Sequence, residues 1–485
     1  MKVLVFGSCP LPIETGVPAQ GPGIRTWQLI KPACDADHEI LAICLRTEGA
    51  YKETSKNEIR STPFHNLTMI NFTFKYFTDV RRIRKIAEEF SPDAIVGAAS
   101  ALPNFMASQV FDIAPFWADC FGDPLTEIQA KAEVYGRDAS GDELFGVWKY
   151  YRSVLSKADR FSALSNVQNH DLVGQLALMG RLNYENAGIP LVFTIPCGVE
   201  EAPPVEKHRE PILRGKDIPE KAFIVCFSGS YNTWMDLDLM FDEIDKAMEY
   251  IPTLYFLSLG GGTKGYNEKL YDDFRRKTEQ SAFRDRYLLK GWAPFHEMPR
   301  WYAESDIGIN VDRFTYEGVT GSRNRIVQFL AHGLPVATTP LCEISRNLAE
   351  IHLVYPFRMR DQEGNDSPVE SLSELLTRLS ANPERLRCIG SQGQRYVLAQ
   401  YNYRKTSKPL LSWLENPSRS PDNEARIKRN VKYLNPVEEV MDFDAREQER
   451  EYLHGEKAHL DKIRRNPLYR LLRFVKRGIL NRNKD

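Results

Sequence analysis

At 485 residues, with 42% hydrophobic and 11% aromatic content, the chain can build two or three domains. A formal net charge of −1 gives no global electrostatic case for nucleic acid. The eight cysteines are scattered without a C-x-x-C pair, a pattern of free thiols in a reducing compartment rather than a disulfide framework or zinc site.

The first residues, MKVLVFGSCPLP, hold an apolar core too short for a signal peptide. No run reaches the roughly 18 apolar residues that a membrane span needs. The expected location is the cytoplasm. Val3-Leu-Val-Phe6 reads as a first parallel strand, apolar throughout because both faces are covered. A loop with Gly16, Gly21 and Gly23 follows, then a helix from Ile24 that carries Arg25. Glycines let backbone approach a ligand, although this loop does not match G-x-G-x-x-G.

His38 to Cys44 is a second strand, Val80 to Phe90 an amphipathic helix, and Ser91 to Gly97 leads into another buried strand. This alternation predicts a doubly wound sheet with its crevice at the carboxyl ends of the strands. A strand over 113–118 ends at Asp119-Cys-Phe-Gly-Asp123, where an acidic pair suits a polar ligand. The alternative at Asp123-Pro124 is a turn with an aspartate cap. Strands over 161–165 and 190–195 complete this half, and the Pro- and charge-rich residues 201–219 read as a linker.

A second series begins with a strand over 223–227 and a helix capped by Asp236 or Thr233. Strands follow at 254–259, 286–292 and 306–311. Residues 317–340, EGVTGSRNRIVQFLAHGLPVATTP, then supply an acid, a turn at Gly321–Ser322, two arginines in a first helical turn, and a buried strand. A helix start flanked by Arg323 and Arg325 suits a phosphate, because unpaired N–H groups and the helix dipole both favour an anion. The alternative is a capped surface helix with solvated arginines.

After a strand near 352–355, helices are expected at 368–380, 383–400 and 404–414, the last returning over 404–416 toward the first domain. The charged residues 417–458 read as an appended arm rather than a third core. At the end, Leu468, Leu471, Leu472, Val475 and Ile479 alternate with Arg470, Arg473, Lys476 and Arg477 at helical period. Such a basic amphipathic helix over 466–480 can lie on an anionic membrane, peripheral at the inner face of the cytoplasmic membrane. The competing reading is a helix docked on the protein's own surface.

Four segments in this order, GPGIRTW (21–27), GSYNTWMD (229–236), KGWAPFHEMPRWYAESDIGIN (290–310) and 317–340, carry a resemblance. Over roughly residues 1–415 the sequence resembles bacterial retaining glycosyltransferases of the GT-B fold, with an E-x7-E-like motif. FGDPLTEIQAKAE (121–133) is similar to the acceptor-side loop of relatives that build surface polysaccharides. The resemblance implies an α/β protein with two Rossmann-like doubly wound domains facing a cleft, 1–200 on the acceptor side and 220–403 on the donor side. A helical, charged extension over 417–485 follows them.

It also implies transfer of a sugar from a nucleotide-diphosphate donor to a hydroxyl of a glycan or lipid-linked acceptor, without cofactor or metal. Glu317 and Asp119 are the candidate catalytic residues, neither assigned as a nucleophile. The donor and its phosphates are expected at Gly21, Gly23, Arg25, Gly229, Asn232, Thr233, Gly261, Trp292, Ser322, Arg323, Arg325 and Gln328. Asp123 and Glu127 are expected to face the acceptor. Two departures stand out. Gln328 occupies the position of the second motif acid, and Met235 that of a basic residue for the diphosphate. His65, His170, His296 and His332 show no metal spacing. Two rivals fit the same residues: a nucleotide-sugar epimerase of this fold, and a non-catalytic degenerate transferase acting as a scaffold.

Overall fold

Strand β1 (Lys2–Cys9) is buried from Val3 onward, because parallel neighbours flank it and helices cover both its faces. In the computed structural model the described residues are 1–47, 49–51, 56–99, 101–200, 210–263, 267–360, 370–429, 436–467 and 469. β2 (Glu39–Arg46), β3 (Glu58–Phe64), β4 (Leu67–Phe72), β5 (Ala94–Gly97), β6 (Phe116–Cys120), β7 (Arg160–Ala163) and β8 (Val192–Thr194) complete the first sheet. Its order is β3-β4-β2-β1-β5-β6-β7-β8, parallel except for the edge strand β3. The chain reverses direction of travel between β1 and β5, which opens a crevice at their carboxyl ends.

The β3–β4 hairpin has no counterpart in the sequence reading. β3 is mostly exposed and therefore lacks the apolar run that marks a buried strand. β6 begins at Phe116 rather than 113, since residues 109–114 fold into turns.

The second sheet holds β9 (Phe223–Ser228), β10 (Leu254–Leu259), β11 (Tyr287–Leu289), β12 (Ile307–Asn310), β13 (Val336–Thr338) and β14 (Tyr355–Pro356). Its order is β11-β10-β9-β12-β13-β14, parallel throughout, with the switch between β9 and β12. Asp236 does cap the helix Leu237–Tyr250, accepting from the Leu239 N–H at 2.7 Å. The molecule is therefore α/β, two doubly wound domains with their switch points facing one cleft.

The two crossings between domains lie side by side. The Val199 N–H donates to the Tyr401 carbonyl at 2.8 Å, and the Tyr403 N–H to the Val199 carbonyl at 3.0 Å. Helices Tyr403–Thr406 and Lys408–Glu415 then dock on the first domain, where Thr406 meets Gln28 at 2.9 Å and Trp413 packs on Trp117.

Part of the expected linker is structured. Glu304 accepts from the Leu213 and Arg214 N–H groups at 2.9 Å, fixing this stretch to the second domain; residues 201–209 lie outside the described residues. The stretch beyond 417 is not a free arm. Helix Pro421–Arg429 is anchored by a fully buried pair, Arg181 Nε to Asp422 at 2.5 Å. Helix Pro436–Arg465 straps the first domain through Lys149–Glu449 and Arg152–Asp442. Charge-rich sequence hid this, because the anchors are polar pairs rather than an apolar stripe. Beyond its first residues, the basic helix expected at 466–480 lies outside the described residues. Among the described residues no helix is long and apolar enough to cross a membrane.

Candidate active site

A cavity of about 690 Å³ opens between the domains, where the carboxyl ends of both sheets meet. That volume falls within the ordinary range for small-molecule sites. Its second-domain wall comes from three segments. Gly229 follows β9 with φ +98°, a backbone state suited to glycine. Trp292 follows β11, its indole N–H donating to the Gly262 carbonyl at 3.3 Å. The third is helix Asn324–Ala331, which begins at Arg323 with no side chain capping it, so its first N–H groups face a cavity lined by Ser322, Asn324 and Arg325.

The two arginines differ sharply. Arg323 is 5% exposed and donates through Nε to Asp312 at 2.8 Å, with Glu317 3.9 Å away. Burial lowers its pKa, but Asp312 and Glu317 more than reverse this. Arg325 has no carboxylate within ion-pair distance among the described residues. It donates to the Ser230 carbonyl at 3.2 Å, touches the Met235 sulfur at 3.6 Å and stacks over Phe227. Burial pulls it down to about 10. Asp312 attracts it only from beyond ion-pair distance, and Arg323 repels it, so this cation lines the cleft without a paired carboxylate among the described residues.

Across the cleft, helix Pro124–Tyr135 brings Glu127 to Glu317. A Cβ on Gly122 (φ +85°) would lie 3.3 Å from Glu127 Oε1 and 3.6 Å from Glu317 Oε2, so both carboxyls converge over this residue. Thr126 Oγ1 donates to Glu317 at 3.3 Å, tying the domains together. Burial, then the Glu127 charge, raise Glu317 well above the usual carboxylate range, against Arg323. Glu127 is pushed up to about 7 by burial, with Lys131 opposing and Asp123 and Glu143 adding. Crowded carboxyls of this kind hold a proton between them at neutral pH.

Gln328 also lines the cavity, 8% exposed, and its Nε2 has no hydrogen-bond partner. That nitrogen is itself buried, an unsatisfied donor in the cavity wall.

Several expected residues stand elsewhere. Asp119 is fully buried, clamped by Arg25 at 2.6 and 2.9 Å and by Ser162 at 2.6 Å, so neither Asp119 nor Arg25 reaches the cavity. Their pairing holds the first helix to β6 and corrects both expectations. Gly23 packs on the Pro10 carbonyl, where a Cβ would come within 2.0 Å, so backbone packing and not a ligand requires it. Asp123 caps its helix, accepting from the Leu125 N–H at 2.7 Å, and faces Gln175 rather than the cavity. Thr233 is buried behind the wall, its carbonyl accepting from Arg313. Gly261 sits behind Trp292.

The cavity does bring together Gly21, Gly229, Asn232, Trp292, Ser322, Arg323, Arg325, Gln328, Glu317 and Glu127. Missing from the sequence reading are Asp312, which anchors Arg323, and Gln20, whose amide donates across the cleft to Thr263 at 3.4 Å. An aspartate just past a buried strand was the one signal for Asp312. Gln20 carried none. Among the described residues no three His, Cys, Asp or Glu side chains are placed to hold a metal.

Residues 239–412 match the family described as glycosyl transferase-like. No curated protein sequence matches the chain. Among solved structures, sucrose-phosphate synthase from Thermosynechococcus elongatus is similar at 16% identity and TM-score 0.62, covering 85% of this chain and 98% of its own. The Anabaena protein HepE in complex with UDP-glucose is similar at 15% identity and TM-score 0.57, with 86% and 99% covered. An α,α-trehalose-phosphate synthase (UDP-forming) from Burkholderia vietnamiensis is similar at 11% identity and TM-score 0.61, with 86% and 97% covered. The chain thus shares the two-domain GT-B fold of these structures, and its second domain carries the glycosyl transferase-like match.

Proposed function

We propose that the protein transfers a sugar from a nucleotide-diphosphate donor to a hydroxyl acceptor, with retention of anomeric configuration and without a metal ion. One observation carries the reading: Arg325, a cation with no carboxylate at ion-pair distance among the described residues, beside an uncapped helix N-terminus in the interdomain cleft. The leaving diphosphate develops charge as the anomeric C–O bond breaks, and fixed cations and backbone donors stabilise it there. Arg325 also touches Met235, so it brings positive charge to the place where the resemblance leads one to expect a basic side chain. Gln328, whose amide nitrogen is unpaired, is the group for a ribose hydroxyl. Glu317 meets donor-sugar hydroxyls, and Glu127 orients or accepts the proton of the acceptor hydroxyl as the new C–O bond forms. UDP-glucose in the similar Anabaena structure supports a nucleotide sugar as the co-substrate.

The acceptor is a glycan or a lipid-linked precursor, and the setting cell-surface polysaccharide assembly at the cytoplasmic face, with the basic segment 466–480 touching an anionic membrane. Calorimetry with a panel of nucleoside diphosphates tests the core of this reading. Micromolar binding of one of them is expected, and no binding at millimolar concentration defeats it. Product NMR on the transferred sugar then checks retention.

A further inference from the structure

The two halves of the cavity differ in chemistry. The second-domain half presents Ser230, Asn232, Ser322, Asn324, Arg325 and Gln328. The first-domain half beyond Glu127 presents Ala101, Leu102, Phe121, Ile128, Val147 and Tyr151. Its remaining charges, Lys131 and Glu143, are spent on each other. Helix Arg137–Lys157 builds much of this wall, turning Glu143, Val147 and Tyr151 inward at four-residue spacing. Its opposite face is held from behind by helix Pro436–Arg465, through Phe145 on Tyr452 and Lys149 to Glu449. The apolar wall is therefore a supported surface and not a loose edge.

We infer that the acceptor is amphiphilic, its hydroxyl-bearing head at Glu127 and Glu317 and an alkyl or aryl group against Leu102, Ile128, Val147 and Tyr151. This rests on the transferase reading, which puts the donor in the polar half and leaves the other half to the acceptor. A free oligosaccharide fits poorly there, because hydroxyls facing these side chains lose water without gaining hydrogen-bond partners. A hydrocarbon loses nothing of the kind and gains about fourfold in affinity per buried methylene.

The test uses the full chain and two series of probes, n-alkyl β-D-glucosides and n-alkyl β-D-maltosides from butyl to decyl, titrated below micelle formation. Affinity should rise about fourfold per methylene until the pocket is filled, at one site per chain and with the same slope for both heads. Val147→Asp should flatten the slope while nucleoside diphosphate binding stays unchanged; Leu102→Ser serves if that variant does not fold. A flat series in the unaltered protein overturns the inference, and so does a slope that survives in a folded Val147→Asp variant. Nucleoside diphosphate binding is measured on the same samples. Nucleotide binding with a flat alkyl series removes only the amphiphilic acceptor, whereas absent nucleotide binding removes the transferase reading itself.

Discussion

Arg325→Ala and Arg323→Ala, two residues apart on one helix start, should fail in opposite ways. Among the described residues Arg325 bonds a carbonyl, touches a sulfur and stacks on an aromatic ring, with no carboxylate at ion-pair distance. Its depressed pKa means that the folded state holds this cation at a cost, one that deprotonation or removal relieves. Arg325→Ala should therefore leave the melting temperature unchanged or raise it. The same change deletes charge-assisted bonds to the diphosphate, each worth about 1.5–3 kcal/mol. A loss of about 2–3 kcal/mol is roughly a 30- to 150-fold rise in Kd.

Arg323→Ala instead strands Asp312 and Glu317, which are 0% and 4% exposed. Breaking such a buried cluster costs about 3–5 kcal/mol of stability. Scanning calorimetry and nucleotide titration on both variants make the comparison. The reasoning is refuted if Arg325→Ala binds within twofold of the unaltered protein, or unfolds as early as Arg323→Ala.

The Glu127 proton is held to about 7 in the folded state but released near 4.5 in the unfolded chain. Glu127 thus favours folding at acid pH, and that contribution is lost as pH rises from about 4.5 through 7. Melting curves across this window should fall more steeply for the unaltered protein than for Glu127→Gln, and parallel curves would remove the raised pKa. Gln328→Leu gives up no hydrogen bond at Nε2, so stability should hold while nucleoside diphosphate affinity drops about tenfold and pyrophosphate affinity does not. An equal loss for both ligands would move the ribose elsewhere. Asp119→Asn should lower stability by about 3 kcal/mol or more through the unpaired Arg25, yet the folded fraction should keep its turnover number; lost turnover in folded protein would return Asp119 to catalysis.

Local pattern was enough for much of this architecture. Alternating apolar strands and periodic helices determine two doubly wound domains, because a covered parallel strand must be apolar along its whole length. The segments after β9 and β12 could be placed on the ligand side for the same reason, since switch-point loops follow from strand order. The glycine, serine and arginines at 321–325 marked this helix start as a candidate anion site.

Only the tertiary structure separated the two arginines, because their difference lies in partners. Asp312 pairs with Arg323, and among the described residues no carboxylate pairs with Arg325. In the same way Asp119 resembles a site residue until Arg25, 94 positions away, closes on it. Glu127 faces Glu317 in the cleft because that residue arrives across the domain boundary, where Thr126 and Glu317 meet over a separation of 191 positions. Charge and burial in a cleft are set by which distant groups pack together, and no local period encodes that. The sequence by itself determined the scaffold and the places where a site could form; packing between the domains decided which ionisable groups stand open in it.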